Sequence, residues 1–161
     1  MTDDGQIDLF SVLCCLGVLA AIGVAVYLIV RASRRGGPRA TRFQAPPPGG
    51  PQPRERWWAD FPHQDDPSRS KARPCYILGY SGKGYWVLKS TTQPPKNPEW
   101  RVPVNAAWWN PPSDKDGYVD LIPYHLPRGF LKRRQGVLGS ARMIREIEGR
   151  VRWDRAWDFI G

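Results

Sequence analysis

The alternation of apolar and polar positions predicts a β-hairpin over residues 71–93. An apolar and aromatic run extends from Cys75 to Tyr80, and a second extends from Tyr85 to Leu88. The four residues between the runs are Ser-Gly-Lys-Gly, and glycine at either position can adopt the positive φ that a tight hairpin turn requires. The pattern therefore indicates two antiparallel strands joined by a short turn.

The hairpin's open end is the candidate chemical centre of the chain. With Gly82-Lys83 at the turn, the predicted pairs are Tyr80 with Tyr85, Leu78 with Val87, Tyr76 with Lys89 and Pro74 with Thr91. This register gathers Arg73, Thr91 and Thr92 at the open end. A cation therefore lies beside two hydroxyl groups.

Residues 9–30 contain no charged side chain and predict a transmembrane helix. Residues 1–8 are short and acidic, whereas arginines are frequent directly after the apolar segment. This asymmetry predicts a single pass through the cytoplasmic (inner) membrane, with the N-terminus outside and the C-terminal domain in the cytoplasm. The acidic start and the long apolar core distinguish the segment from a cleaved signal peptide.

The remainder divides into a linker over residues 31–55 and a folded domain over residues 56–161. The linker is basic and rich in proline and glycine, which oppose both helix and sheet. In the domain, short strands are predicted at residues 56–61, 100–104 and 118–122, with the hairpin between the first two. A helical turn followed by a brief strand is predicted within residues 126–138. Ser140 is a candidate N-cap for a helix over Ala141–Arg150. These elements predict a mainly β fold, a small antiparallel barrel with a C-terminal helix.

Composition adds three constraints. The chain of 161 residues carries a formal net charge of +9, which suits phosphate-bearing partners or an anionic membrane surface. Its three cysteines make no disulfide framework, so the domain is expected in a reducing compartment. No clustered pattern of histidines and cysteines is present, and neither a metal nor a cofactor is predicted.

The order of Trp57–Asp60, Arg73-Pro74 and Thr91-Thr92-Gln93 resembles the MazF/PemK ribonuclease toxins of bacterial toxin–antitoxin systems. In that family a strand ending in aspartate leads to an Arg-Pro dipeptide, and a Thr/Ser pair followed by Gln ends a later strand. The resemblance covers roughly residues 54–150 and does not include the membrane helix. It implies an SH3-like barrel, a homodimer, an acidic antitoxin partner, and metal-free cleavage of single-stranded RNA.

The predicted catalytic residues follow from the chemistry of that reaction. The 2′-hydroxyl of the RNA attacks phosphorus, so the enzyme must stabilise a phosphorane and move protons. Arg73 is the candidate phosphate ligand because a guanidinium stays charged and can grip two oxygens. The family pattern favours Thr91 as a second donor, whereas the predicted register sets Thr92 opposite Arg73. Both threonines remain candidates.

Further RNA contacts are predicted from the polar residues around the hairpin: Lys71, Lys89, Gln93 and Lys96. Some family members use an acid in the first loop, but the corresponding stretch here is Pro-Ser-Arg-Ser-Lys, with Asp65 and Asp66 upstream. The sequence thus offers no obvious carboxylate beside Arg73.

The leading hypothesis is a membrane-anchored endoribonuclease that cleaves single-stranded RNA without a metal. One alternative is an SH3-like barrel that has lost cleavage and binds nucleic acid or a protein at the membrane. Another is a toxin of the same fold that inhibits DNA gyrase. A partner pull-down and a supercoiling assay separate these alternatives from RNA cleavage.

Overall fold

The computed structural model describes residues 43–63, 66 and 69–160. The predicted transmembrane helix at residues 9–30, the acidic start and residues 31–42 of the linker lie outside them. Within the described ranges, none of the helices has the length and apolar character needed to cross a membrane.

A mainly β domain with one C-terminal α-helix accounts for the described part of the chain. Its elements are β1 (Glu55–Pro62), β2 (Ser70–Tyr80), β3 (Tyr85–Thr91), β4 (Arg101–Val104), β5 (Trp109–Asn110), β6 (Gly117–Leu126), β7 (Leu131–Leu138), α1 (Ala141–Arg150) and β8 (Trp157–Asp158). This confirms the predicted fold class at that level. Strands β5 and β8 were not predicted, because two-residue strands show no alternation.

The strands form one curled sheet in the order β4-β6-β3-β2-β1-β7-β5. Every pairing along this path is antiparallel, and the short β8 adds to β6 in parallel. The two end strands, β4 and β5, are separated in the chain only by Asn105 and a 3-10 helix at Ala106–Trp108. The sheet must curl because its opposite ends are joined by so short a segment.

The hairpin forms as predicted at its turn, but its register changes further along. Tyr80 pairs with Tyr85, Ser81 N–H donates to the Gly84 carbonyl, and Gly82 has a φ of 93°. Leu78 is then an extra residue in β2, so Ile77 pairs with Val87. The predicted pairs Leu78 with Val87 and Tyr76 with Lys89 are therefore wrong by one position, and the predicted pair Pro74 with Thr91 does not form because β2 and β3 are not paired there.

Both faces of the sheet are covered by buried side chains, which form two core clusters. Successive β2 residues alternate between them: Tyr76 and Leu78 belong to the first cluster, and Cys75 and Ile77 to the second. The first cluster also contains Leu88, Val102, Val104, Trp109, Val119, Leu121, Leu138, Met143 and Ile147. The second contains Trp57, Ala59, Phe61, Tyr85, Val87, Tyr124, Leu126 and Leu131.

Helix α1 begins at the predicted N-cap. The Ser140 hydroxyl accepts a hydrogen bond from Met143 N–H at 3.4 Å, and Met143 and Ile147 are buried in the first cluster. Arg145 lies on the exposed side of the same helix. The apolar stripe of α1 thus covers one part of the sheet.

Residues 43–54 contact the sheet before β1 begins. Gln44 forms an isolated bridge with Tyr80, and Arg54 N–H donates to the Ile77 carbonyl. At the start of β1, the buried Glu55 carboxylate accepts from Gln52 N–H, the Trp57 indole and the Arg134 guanidinium. Burial alone would raise the pKa of Glu55, but these donors outweigh it and lower the pKa.

Replacing Ile147 by alanine should lower the free energy of unfolding by about 2–5 kcal/mol, because the side chain is fully buried. Arg145→Ala on the exposed side of α1 is the matched control and should change it by no more than about 0.5 kcal/mol. Urea denaturation of the full-length protein, followed by tryptophan fluorescence, measures both. Equal effects of the two substitutions would contradict the packing of α1.

Candidate active site

The hairpin strands separate at their open end. Cys75 and Lys89 form the last backbone pair between β2 and β3. Beyond it, β2 pairs only with β1, where Arg73 lies opposite Ala59, and β3 pairs only with β6, where Thr91 lies opposite Tyr118. The sheet therefore forks where the sequence predicted the site.

Lys89 occupies the second-cluster face of this fork. Its Nζ lies 3.9 Å from the centre of the Tyr124 ring and 5.1 Å from that of Phe61. The two rings meet edge to face at 5.3 Å, so they present two aromatic surfaces to the ammonium group. This contact arises because Lys89 replaces an apolar residue in the alternation of β3.

Burial lowers the pKa of Lys89 to about 8, against an ordinary value of 10.5. The Asp120 carboxylate opposes that change, and the Arg73 guanidinium adds to it by repulsion. Lys89 is thus protonated at neutral pH but close to titration, which is the range in which a side chain transfers protons efficiently.

The carboxylate that acts on Lys89 belongs to Asp120. It lies on β6 opposite Arg101, whose Nε is 3.8 Å from Oδ2 of Asp120. Burial raises the pKa of Asp120, while the Ile122 N–H, Arg101 and Lys89 each act to lower it. We call Arg73, Lys89, Arg101 and Asp120 the charged cluster.

The structure brings one predicted catalytic residue, Arg73, into this cluster. Arg73 and Cys75 are two residues apart on β2 and so point to the same face, and the charge of Arg73 acts on Lys89. Continuing the register of Cys75 with Lys89 by two residues sets Arg73 across the fork from Thr91. The extra residue Leu78 therefore favours Thr91 over Thr92 as its counterpart.

Thr91 and Thr92 line a cavity of about 260 Å³ at the end of the sheet. We call it the end cavity. Thr91 Oγ1 accepts a hydrogen bond from Gln93 N–H at 3.1 Å, which shapes the exit from β3. Pro74 also lines the cavity, whereas Arg73 does not. Within the described residues no hydrogen bond joins Arg73 to either threonine.

The predicted RNA-binding residues differ in their exposure to solvent and in the element that carries them. Lys71 and Lys96 are exposed, Lys71 on β2 and Lys96 in the loop after β3. The Gln93 carbonyl accepts from Arg101 Nη1 at 3.0 Å, which fixes this loop to the charged cluster. Lys89, by contrast, is half-buried.

Ser81, His125 and Asp158 form a hydrogen-bonded chain at the other end of the hairpin. Ser81 Oγ lies 2.7 Å from His125 Nε2, and His125 Nδ1 lies 2.8 Å from Asp158 Oδ1. Ser81 Oγ also accepts from the N–H groups of Lys83 and Gly84. Because the lone pairs of Ser81 Oγ are used within the turn, this series of hydrogen bonds has a structural role. It attaches β8 to β6 and to the hairpin turn.

Sequence reasoning missed Arg101, Asp120 and the aromatic surfaces beneath Lys89. Asp120 and Arg101 come from separate strands, and only the pairing of β4 with β6 makes them neighbours. The detectable signal was Lys89 itself, a charge at an alternating position between Val87 and Thr91.

Metal ligands are not clustered in the described part of the chain, where no group of three or more His, Cys, Asp or Glu side chains could hold an ion. The one thiol described, that of Cys75, is fully buried, and burial raises its pKa. Neither a protein-family model nor a curated protein matches the chain.

The electrostatics of the cluster can be measured by NMR titration of the Lys89 side chain. We expect a pKa near 8. Asp120→Asn removes an attractive charge and should lower this pKa, whereas Arg73→Gln removes a repulsive one and should raise it. Lys83→Gln, at the distant turn, removes one positive charge as a control and should leave it unchanged. Shifts of the opposite sign would contradict the arrangement.

Proposed function

We propose that this protein is a metal-independent endoribonuclease of the MazF/PemK type, in which the curled sheet is an SH3-like barrel. It acts on single-stranded RNA and is tethered to the cytoplasmic membrane through residues 9–30, with the barrel in the cytoplasm. A homodimer and an acidic antitoxin partner belong to the same proposal. The resemblance of the Arg-Pro and Thr-Thr-Gln segments is its starting point.

The observation that carries the proposal is the meeting of Arg73 and Lys89 at the fork of the sheet. Two cations whose charges repel each other are held on one face, and burial lowers the pKa of Lys89. A phosphate between them would offset both the repulsion and the loss of hydration. This arrangement favours an anionic substrate.

In the proposed reaction, Arg73 binds the non-bridging oxygens of the scissile phosphate and stabilises the phosphorane. The 2′-oxygen forms the new bond to phosphorus as its proton passes to water, and the bond to the 5′-oxygen breaks. Protonated Lys89 donates its proton to that leaving oxygen. Thr91 donates a hydrogen bond to the same phosphate. The products are a 2′,3′-cyclic phosphate and a 5′-hydroxyl.

Asp120 and Arg101 position this machinery. The Asp120 carboxylate raises the pKa of Lys89 and so keeps more of it protonated at neutral pH. Arg101 links Asp120 to the Gln93 carbonyl and thereby holds the end of β3, which carries Thr91. Exposed Lys71 and Lys96 are suited to phosphates on either side of the cleaved bond.

Arg73→Ala should reduce the cleavage rate by about 10²–10³-fold, because it removes a preorganised donor from the developing charge. The assay is cleavage of a single-stranded RNA by the full-length protein in the presence of EDTA. Arg69→Ala, which removes an exposed arginine just before β2, is the matched control and should retain activity. Cleavage that survives Arg73→Ala would contradict the assignment. RNA binding without cleavage would instead support the binding-module alternative.

The value of kcat/KM should decrease above pH 8, because the protonated fraction of Lys89 decreases above its pKa of about 8. Asp120→Asn lowers that pKa and should move the falling limb to lower pH. Lys89→Arg keeps a permanent charge but is a poor proton donor, so it should slow cleavage and remove the limb from the activity that remains. A limb that stays at the same pH in Asp120→Asn would show that another group titrates.

A further inference from the structure

Two residues that line the end cavity have buried polar atoms without hydrogen-bond partners. Arg56 and Ser90 both line it, together with Trp58, Val104, Trp109 and Tyr118. Arg56 Nε and Ser90 Oγ are fully buried, and neither makes a hydrogen bond with any residue that the structure describes. A buried donor or hydroxyl left unpaired costs free energy, so two in one cavity call for an explanation.

Three charged residues line the cavity, and of these Arg56 is the one with a buried atom that lacks a partner; the other two, Lys115 and Asp116, have opposite charges. The Arg56 guanidinium lies 5.0 Å from the centre of the Trp109 ring, and it forms no ion pair within the described ranges. Burial lowers the pKa of Arg56, and the charge of Asp114 only partly opposes this. A partly buried guanidinium and a hydroxyl without a partner, on two residues that line one cavity, suit an oxyanion.

The cavity continues into a more open depression of about 440 Å³. Thr92 and Tyr118 line both spaces, and Trp108, which is 40% exposed, lines the outer one. Asp116 lies between them, and its Oδ1 accepts from Ala106 N–H at 2.7 Å. The outer space therefore offers exposed aromatic surface next to the buried cation.

We propose that the end cavity binds a nucleoside monophosphate unit. Its phosphate lies against Arg56 and Ser90, and its base stacks on Trp108 and Tyr118 in the outer depression. A free nucleotide and the terminal nucleotide of an RNA strand share this chemistry. The proposal does not depend on cleavage, because it uses neither Arg73 nor Lys89, which do not line the cavity, and assigns no contact to Thr91, which does.

Calorimetric titration of the full-length protein with AMP, inorganic phosphate and adenosine tests the site. AMP should bind at least about tenfold more tightly than phosphate or adenosine, since only AMP fills both spaces. Phosphate that binds as tightly as AMP would overturn the base contact, and adenosine that binds as tightly would overturn the phosphate contact. Absence of AMP binding would overturn the proposal as a whole.

Variants assign the binding to the named residues. Arg56→Met, which keeps a similar chain length, should weaken AMP binding at least about tenfold. Ser90→Ala removes only one oxygen, and that oxygen makes no hydrogen bond within the described residues; the change should weaken binding by about threefold or more. Lys83→Met removes one positive charge at the hairpin turn and should have no effect. Wild-type affinity in Ser90→Ala and in a folded Arg56→Met would refute the site.

Two further measurements separate the sources of the ligand and the two sites. A 5′-phosphorylated single-stranded oligoribonucleotide that displaces AMP, when its 5′-hydroxyl counterpart does not, identifies a strand end as the ligand. Failure of both to displace AMP identifies a free nucleotide. Arg73→Ala should keep AMP affinity even if it abolishes cleavage. Loss of AMP binding in Arg73→Ala would overturn the independence of the cavity from the charged cluster.

Discussion

The last backbone pair of the hairpin, Cys75 with Lys89, sets the geometry on which the rest of the domain depends. Up to that pair, β2 and β3 share their hydrogen bonds; past it, each strand bonds only to its outer neighbour. Because β2 and β3 separate there, residues of both sheet faces lie at this end of the sheet. The charged cluster occupies one face, and the end cavity lies beside residues of the first core cluster on the other.

This arrangement partly buries two positive charges, which is unfavourable in free energy. Lys89 and Arg56 lie on opposite faces of the fork, and burial lowers the pKa of each. In each case an aromatic ring lies close to the cation, Tyr124 for Lys89 and Trp109 for Arg56. A ring can replace part of the lost hydration but supplies no hydrogen bond, so both cations keep their capacity to bind an anion.

Local signals predicted much of the fold. The N-cap and apolar spacing fixed the helix after Ser140, and the glycines fixed the hairpin turn, because both depend on neighbouring residues alone. The register further along β2 was not predictable, since alternation does not reveal that Leu78 is an extra residue. The same limit applied to the candidate site. The sequence pointed to Arg73 and Lys89 as candidates, but Asp120 comes near Lys89 only through the pairing of β6 with β3.

The pairing of β1 with β7 has a consequence for how the chain folds during synthesis. Glu55 lies opposite Val137, so one edge of β1 stays open until the ribosome has delivered most of the domain. The hairpin can close much earlier, because its contacts are local. In that interval the aromatic-rich strand β1 has one unpaired edge. Strand β7, with its arginines, covers that edge once it has been synthesised. Translation speed between the two strands thereby sets how long a nascent chain is open to wrong strand partners.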